Sequence, residues 1–191
     1  MNRSEWHIYT GKIPHSEKGD YWVSFESDPD LKKTKNNIYG RCLPCIRNLY
    51  HQLKEGRREI TLGNAFNCWK ITAVVKGIDE CLSLLNEFEK RFPSGHVFGK
   101  FGSGRPASER KVVVFHTEDE GERDRIKEAL EACLPDVDRD GKILVSRACG
   151  VLYDDILGDW RKWQPVSPVI SPESRGPLLE RIKRLLYRST M

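Results

Sequence analysis

The chain has 191 residues, a net charge of +4 from 32 Lys and Arg against 28 Asp and Glu, and 38% hydrophobic residues. That is enough apolar material for a core, so disorder is not the default, and a polyanionic partner is permitted without being demanded. No stretch approaches the roughly 20 apolar residues that cross a bilayer, and MNRSEWHIYTGKIP has no apolar run of signal-peptide length. No membrane partner is therefore expected, and a cytoplasmic location is. Six cysteines, mostly inside apolar patterns, fit reduced thiols better than a disulfide framework.

Residues 1–60 read as an amino-terminal extension. Tyr21-Trp-Val-Ser-Phe25 can form a strand, and residues 28–37 are polar and turn-like. Cys42, Cys45, Ile46, Leu49 and Leu53 then mark an amphipathic helix, with Pro44 in its first turn and Gly56 at its end.

Residues 61–160 carry the clearest organisation. In Cys68-Trp-Lys-Ile-Thr-Ala-Val-Val75 the apolar residues Trp69, Ile71, Ala73 and Val75 alternate with Lys70 and Thr72, the signature of a half-buried strand. From Ile78 the period changes: Ile78, Cys81, Leu82, Leu85, Phe88 and Phe92 fall at helical spacing, with Asp79 and Glu80 in the first turn. His96-Val-Phe-Gly-Lys-Phe101 predicts a second strand and Lys111-Val-Val-Val-Phe-His116 a third. Thr117-Glu-Asp-Glu120 has capping-box spacing before a helix whose apolar face is Ile126, Ala129, Leu130, Cys133 and Leu134. Lys142-Ile-Leu-Val-Ser146 closes the series. The order β-α-β-β-α-β predicts an α+β, ferredoxin-like core with two central apolar strands and edges near Lys100 and Arg147. RNA-recognition motifs share this order, but the third strand here lacks their stacking aromatics, and no family is assigned.

Residues 161–191 contain Pro165, Pro168, Pro172 and Pro177, which predict an extended connector. A basic amphipathic helix follows, with Leu178, Leu179, Ile182, Leu185 and Leu186 on one face. It either docks on its own chain or grips another subunit or an acidic partner.

Five constellations carry chemistry on paper. Cys42-Leu-Pro-Cys45 at a helix start can supply half of a zinc site or a thiolate of lowered pKa, although Cys45 also suits the apolar helix face. No second Cys-x-x-Cys or His-x-x-x-His follows, so Cys68, His51 or His7 would have to join the pair. No cofactor is expected otherwise. Gly99-Lys-Phe-Gly-Ser-Gly-Arg105 is neither a Walker loop nor a dinucleotide fingerprint. It reads as a glycine-rich hairpin, or as a basic loop in which Lys100, Arg105, Arg110 and Lys111 meet phosphates and Phe98 and Phe101 stack on bases. Asp136-Val-Asp-Arg-Asp-Gly141 opens like a calcium loop, but its twelfth position is Arg147 where the motif needs Glu. His116, at a strand end, and Arg147, beside Cys149, are candidates for acid-base work. The stretch from Arg147 to Trp163 is dense in aromatics, acids and bases, as binding surfaces are.

The function expected from these features is binding of nucleic acid, RNA or single strands first, through the basic glycine-rich loop. The alternatives are a small enzyme on a nucleotide or phosphoester, and a non-catalytic regulatory module that forms a homodimer through the sheet or the carboxy-terminal helix.

Overall fold

The alternation around Ile71 becomes a strand whose Trp69, Ile71, Ala73 and Val75 are buried, while Lys70, Thr72 and Val74 are half-buried. The computed structural model describes residues 7–13, 21–29, 42–92, 95–103 and 110–188. Its elements are β1 (Tyr9–Ile13), β2 (Tyr21–Glu26), α1 (Cys42–Lys54), β3 (Glu59–Thr61), α2 (Asn64–Asn67), β4 (Trp69–Val75), α3 (Ile78–Arg91), β5 (Phe98–Ser103), β6 (Lys111–Thr117), α4 (Glu120–Val137), β7 (Lys142–Arg147), α5 (Gly150–Leu157), β8 (Val166–Pro168) and α6 (Arg175–Arg188). Among the described residues no helix is long and apolar enough to cross a membrane. The chain divides into two compact units, each assembled from two stretches: residues 1–38 with 69–145, and residues 39–68 with 146–191. The segment 1–60 therefore does not stay together.

The first unit is built on a six-stranded sheet in the order β1-β2-β5-β6-β4-β7. The pairs β1/β2, β2/β5, β5/β6 and β4/β6 are antiparallel. The sequence predicted a four-stranded ferredoxin-like sheet with β5 at an edge, and the observed sheet is not that simple arrangement. The hairpin β1–β2 pairs along β5 instead, because β2 alternates and sends Phe25 into the core beside Phe101 and Phe115. Partners across an antiparallel ladder share a face. One face carries Phe25, Ile71, Ala73, Val75, Phe101, Val113 and Phe115, and it packs with Cys81, Leu84, Leu85 and Phe88 of α3 and Ile126, Leu130, Cys133 and Leu134 of α4. The Phe115 ring sits 4.8 Å from Phe25 and 4.7 Å from Phe88, centroid to centroid. Each buried aromatic contributes on the order of 1.5–3 kcal/mol of apolar transfer, which makes this cluster the main stabilising element of the unit. Gly99 is required by packing: a Cβ there would run into the Val114 carbonyl oxygen and the Phe25 ring.

The cap of helix α4 lies two residues beyond Thr117, the first residue of the predicted capping box. Asp119 is the cap, its carboxylate accepting from the Glu122 amide at 2.7 Å, while Thr117 Oγ1 donates to the Asp119 carbonyl. Asp119 has left the sheet and turns its carboxylate to an open amide, whereas Thr117 is still the last residue of β6.

The second unit packs three amphipathic helices around one apolar core. Cys45, Leu49 and Leu53 come from α1, Leu152, Tyr153, Ile156 and Leu157 from α5, and Leu178 and Ile182 from α6, with Ile60, Leu62, Ala65 and Trp163 between them. β3 and β8 form a two-stranded antiparallel ribbon in which Ile60 faces Ser167. The proline-rich stretch taken for a connector thus contains a strand. Pro168 is tolerated because a short ribbon end needs no amide from it. Helix α6 packs Leu178 and Ile182 into the core of its own unit.

Candidate functional site

The basic glycine-rich loop is only partly within the described residues: Arg105 lies outside them. Strand alternation splits the rest. Phe98 pairs with Glu26, and Lys100 with Ser24 and Val114, on the sheet face away from α3 and α4. Phe101 points the other way, into the core at 2% exposure, and Phe98 is 8% exposed. The two rings therefore occupy opposite faces, and both are enclosed by protein. Neither offers the open surface on which a base would stack, because strand period 2 separates them. The Lys100 ammonium lies 4.1 Å from the Trp22 ring centroid. Arg110 is exposed and directs its guanidinium to the Asp140 carbonyl at 3.2 Å and the Asp138 carboxylate at 3.7 Å. Lys111 is half-buried at the start of β6.

His116 is buried on the same face as Phe98, ring parallel to ring at 6.2 Å and 8°. Nearby on that face, His96 Nε2 meets the fully buried Glu26 carboxylate at 2.7 Å. His116 belongs to the first unit and Arg147 to the second. The acids of the calcium-like stretch serve the chain itself. Asp136 pairs with Arg91 at 2.6 Å, and Asp138 accepts the Lys76 amide at 2.9 Å and the Asp140 amide at 3.0 Å. This is a turn held by its own carboxylates, followed by a strand.

The sharpest geometry is a gathering of thiols in the second unit. Cys42 and Cys45 lie one turn apart at the start of α1, so both project from one side of it. Cys68 follows α2 and Cys149 precedes α5, as the residues flanking those helices. Backbone contacts tie the three segments. The Ala148 amide donates to the Cys68 carbonyl at 2.9 Å, and the Tyr153 hydroxyl donates to the Cys45 carbonyl at 2.8 Å. The thiols of Cys42, Cys45 and Cys68 are neighbours of the Cys149 thiol. These three neighbours, with burial added, push its pKa far up, since an extra negative charge among electron-rich sulfurs is disfavoured. All four are thiols and not disulfides. Among the described residues no group of three or more His, Cys, Asp or Glu side chains stands ready-formed to hold a metal ion.

Arg147, two residues before Cys149, is 6% exposed and lays its guanidinium over the Phe66 ring at 4.2 Å. Sequence reasoning found Cys42 and Cys45 and named Cys68 as a residue that could join them. It missed Cys149 as a fourth member. The spacing gave no hint of it, because the stretch between Cys68 and Cys149 is most of the other unit.

Charge separates along the same division. The second unit holds thirteen Lys and Arg against seven Asp and Glu, and the first holds nineteen against twenty-one. The whole positive excess therefore belongs to the second unit. Within it, Lys54, Arg57 and Arg58 are exposed around the turn from α1 to β3. Arg175 joins them, its guanidinium donating to the Arg57 carbonyl at 2.7 Å. Arg57, Arg58, Glu59, Thr61 and Val166 line an open groove of about 550 Å³ there. Arg57 is itself paired with Glu55 at 2.7 Å. No family model, curated protein or solved structure matches the chain.

Proposed function

We propose that this is a nucleic-acid-binding protein whose contact surface is the basic turn of the second unit, around Lys54, Arg57, Arg58 and Arg175. The observation that supports it is the charge division. A polyanion is drawn to the unit with excess cations, and the first unit, with its glycine-rich loop, is slightly acidic overall. Phosphates are the ligand class that guanidinium groups at the rim of an open groove recognise best. The reading moves the interface away from Lys100, Arg110 and Lys111. Those side chains are divided between a ring contact, a turn and a half-buried strand start.

The same reading treats the first unit as a ferredoxin-like framework extended by the β1–β2 hairpin. The run β7-β4-β6-β5 within the six-stranded sheet supports this reading.

The test is fluorescence anisotropy of labelled 20-mers, single-stranded RNA, single-stranded DNA and duplex, across a salt series. Binding should weaken steeply with salt, with a log–log slope that falls by about one to two when Arg57 and Arg58 are both changed to Ala. The change Lys100→Ala should leave the slope as it was. Affinity indifferent to salt, or a loss confined to Lys100→Ala, would overturn the assignment of this surface.

A further inference from the structure

We propose that Cys42, Cys45, Cys68 and Cys149 bind one zinc ion as four thiolates, joining the start of α1, the end of α2 and the start of α5 into a single centre. Three separate segments, tied by backbone hydrogen bonds, bring the sulfurs of Cys42, Cys45 and Cys68 around that of Cys149. A tetrahedral zinc with Zn–S bonds of about 2.3 Å places its sulfurs about 3.8 Å apart. The four neighbouring thiols close to that spacing as the ion binds. An all-sulfur donor set selects zinc, copper(I) or iron–sulfur chemistry over hard cations such as calcium and magnesium. Among these, sulfurs this close together suit a single ion, whereas a polynuclear cluster holds its cysteines apart around the cluster body.

Each Zn–S bond replaces one S–H, and four protons leave to solvent. The product is a dianionic centre. Several features of the unit suit that charge. α1 begins at Cys42 and α5 directly after Cys149, so both helices point their amino-terminal dipoles at the sulfurs. Arg147 keeps a guanidinium within the protein two residues from Cys149. A centre of this kind also explains why four thiols are crowded together in a small core. Uncharged, they contribute little more than small apolar side chains. As ligands they hold the unit closed.

The experiment is metal analysis of the full chain purified under reducing conditions without chelator, then removal of the metal and titration with cobalt(II). The expected result is one zinc per chain, and for cobalt the intense visible absorption of a tetrahedral thiolate site. Changing Cys149 to Ser should reduce bound zinc to about a tenth or less. Changing Cys81 or Cys133, the two thiols buried in the first unit, to Ser should leave it at one. The cobalt titration uses the unaltered chain, so a variant that fails to fold does not decide the matter. Any of four results would overturn the proposal: no metal uptake by the unaltered chain, iron accompanied by labile sulfide, a mass that reports disulfides among these cysteines, or zinc retained in full by Cys149→Ser. Because no nucleic acid is present, these readouts stand apart from those of the binding surface.

Discussion

Replacing Tyr153 by Phe removes one oxygen and leaves the ring where it is. Tyr153 has no exposed surface, and its hydroxyl donates to the Cys45 carbonyl at 2.8 Å. The lost hydrogen bond is worth about 0.5–1.5 kcal/mol net, and the Cys45 carbonyl keeps its intrahelical partner within α1. No cavity of consequence forms, so the variant should be less stable by about 1 kcal/mol. For a cooperative chain of this size that lowers the melting temperature by roughly 2–4 °C. Differential scanning calorimetry at fixed metal content measures it, since bound metal would shift the melt by mass action. A second readout comes from alkaline titration followed by phenolate absorbance. Burial, with the neighbouring Cys45 and Cys149 thiols adding, pushes the Tyr153 hydroxyl well above the usual phenol range. Its folded pKa is raised, so the unfolded state releases this proton first. Its contribution to stability is full below about pH 10 and is lost as pH rises above that. The variant should therefore have as many phenols titrating near pH 10 as the unaltered chain. An unchanged melting temperature, or one fewer titrating phenol in the variant, would refute the placement of this hydroxyl.

Two further outcomes follow from the first unit. Gly99→Ala should destabilise it by about 1–3 kcal/mol or more, because the added methyl meets backbone at Val114 as well as the Phe25 ring. Chemical denaturation monitored by near-ultraviolet circular dichroism reads this, and a midpoint equal to that of the unaltered chain would contradict the β2/β5/β6 packing. Burial raises the Cys81 thiol from 9.0 to about 12. The folded value is the higher one, so the stability it lends is complete below pH 9 and erodes between 9 and about 12, by at most about 1.4 kcal/mol per pH unit. Urea midpoints at about pH 8 and about pH 10.5 should fall less steeply in Cys81→Ala than in the parent, and equal slopes would show that Cys81 is not the group responsible.

Local periodicity made most of the first unit legible. Trp69, Ile71, Ala73 and Val75 at period 2, and Cys81, Leu85 and Phe88 at helical period, lie where their spacing put them. β1 was not legible, since Gly11 interrupts its five residues and its partner is set by β2. The second unit was harder. α5 has eight residues, too few for a helical period to stand out from a mixture of Asp154, Asp155 and apolar residues. β3 and β8 have three residues each and exist only as partners of one another. The division of the basic loop was not legible because sequence proximity says nothing about sheet faces: Lys100 and Phe101 are adjacent in the chain and on opposite sides of β5. The thiol group was half legible, because Cys42 and Cys45 are near neighbours whereas Cys149 meets them only through the tertiary fold.

The interleaving of the two units sets an order of events during synthesis. The first is complete in outline once residue 145 has emerged, whereas the second lacks α5, β8 and α6 until the last 46 residues are made. At about 5–20 residues per second, α1 and its apolar residues Leu49 and Leu53 wait on the order of 5–20 s after emerging for the strand and helices that cover them. In that interval the nascent chain presents an unfinished helix with two unprotected thiols beside a sheet already able to close. A ribosome stalled near residue 145 would therefore carry one finished unit and one solvent-exposed apolar helix, a species that chaperones and oxidants meet before any ligand does.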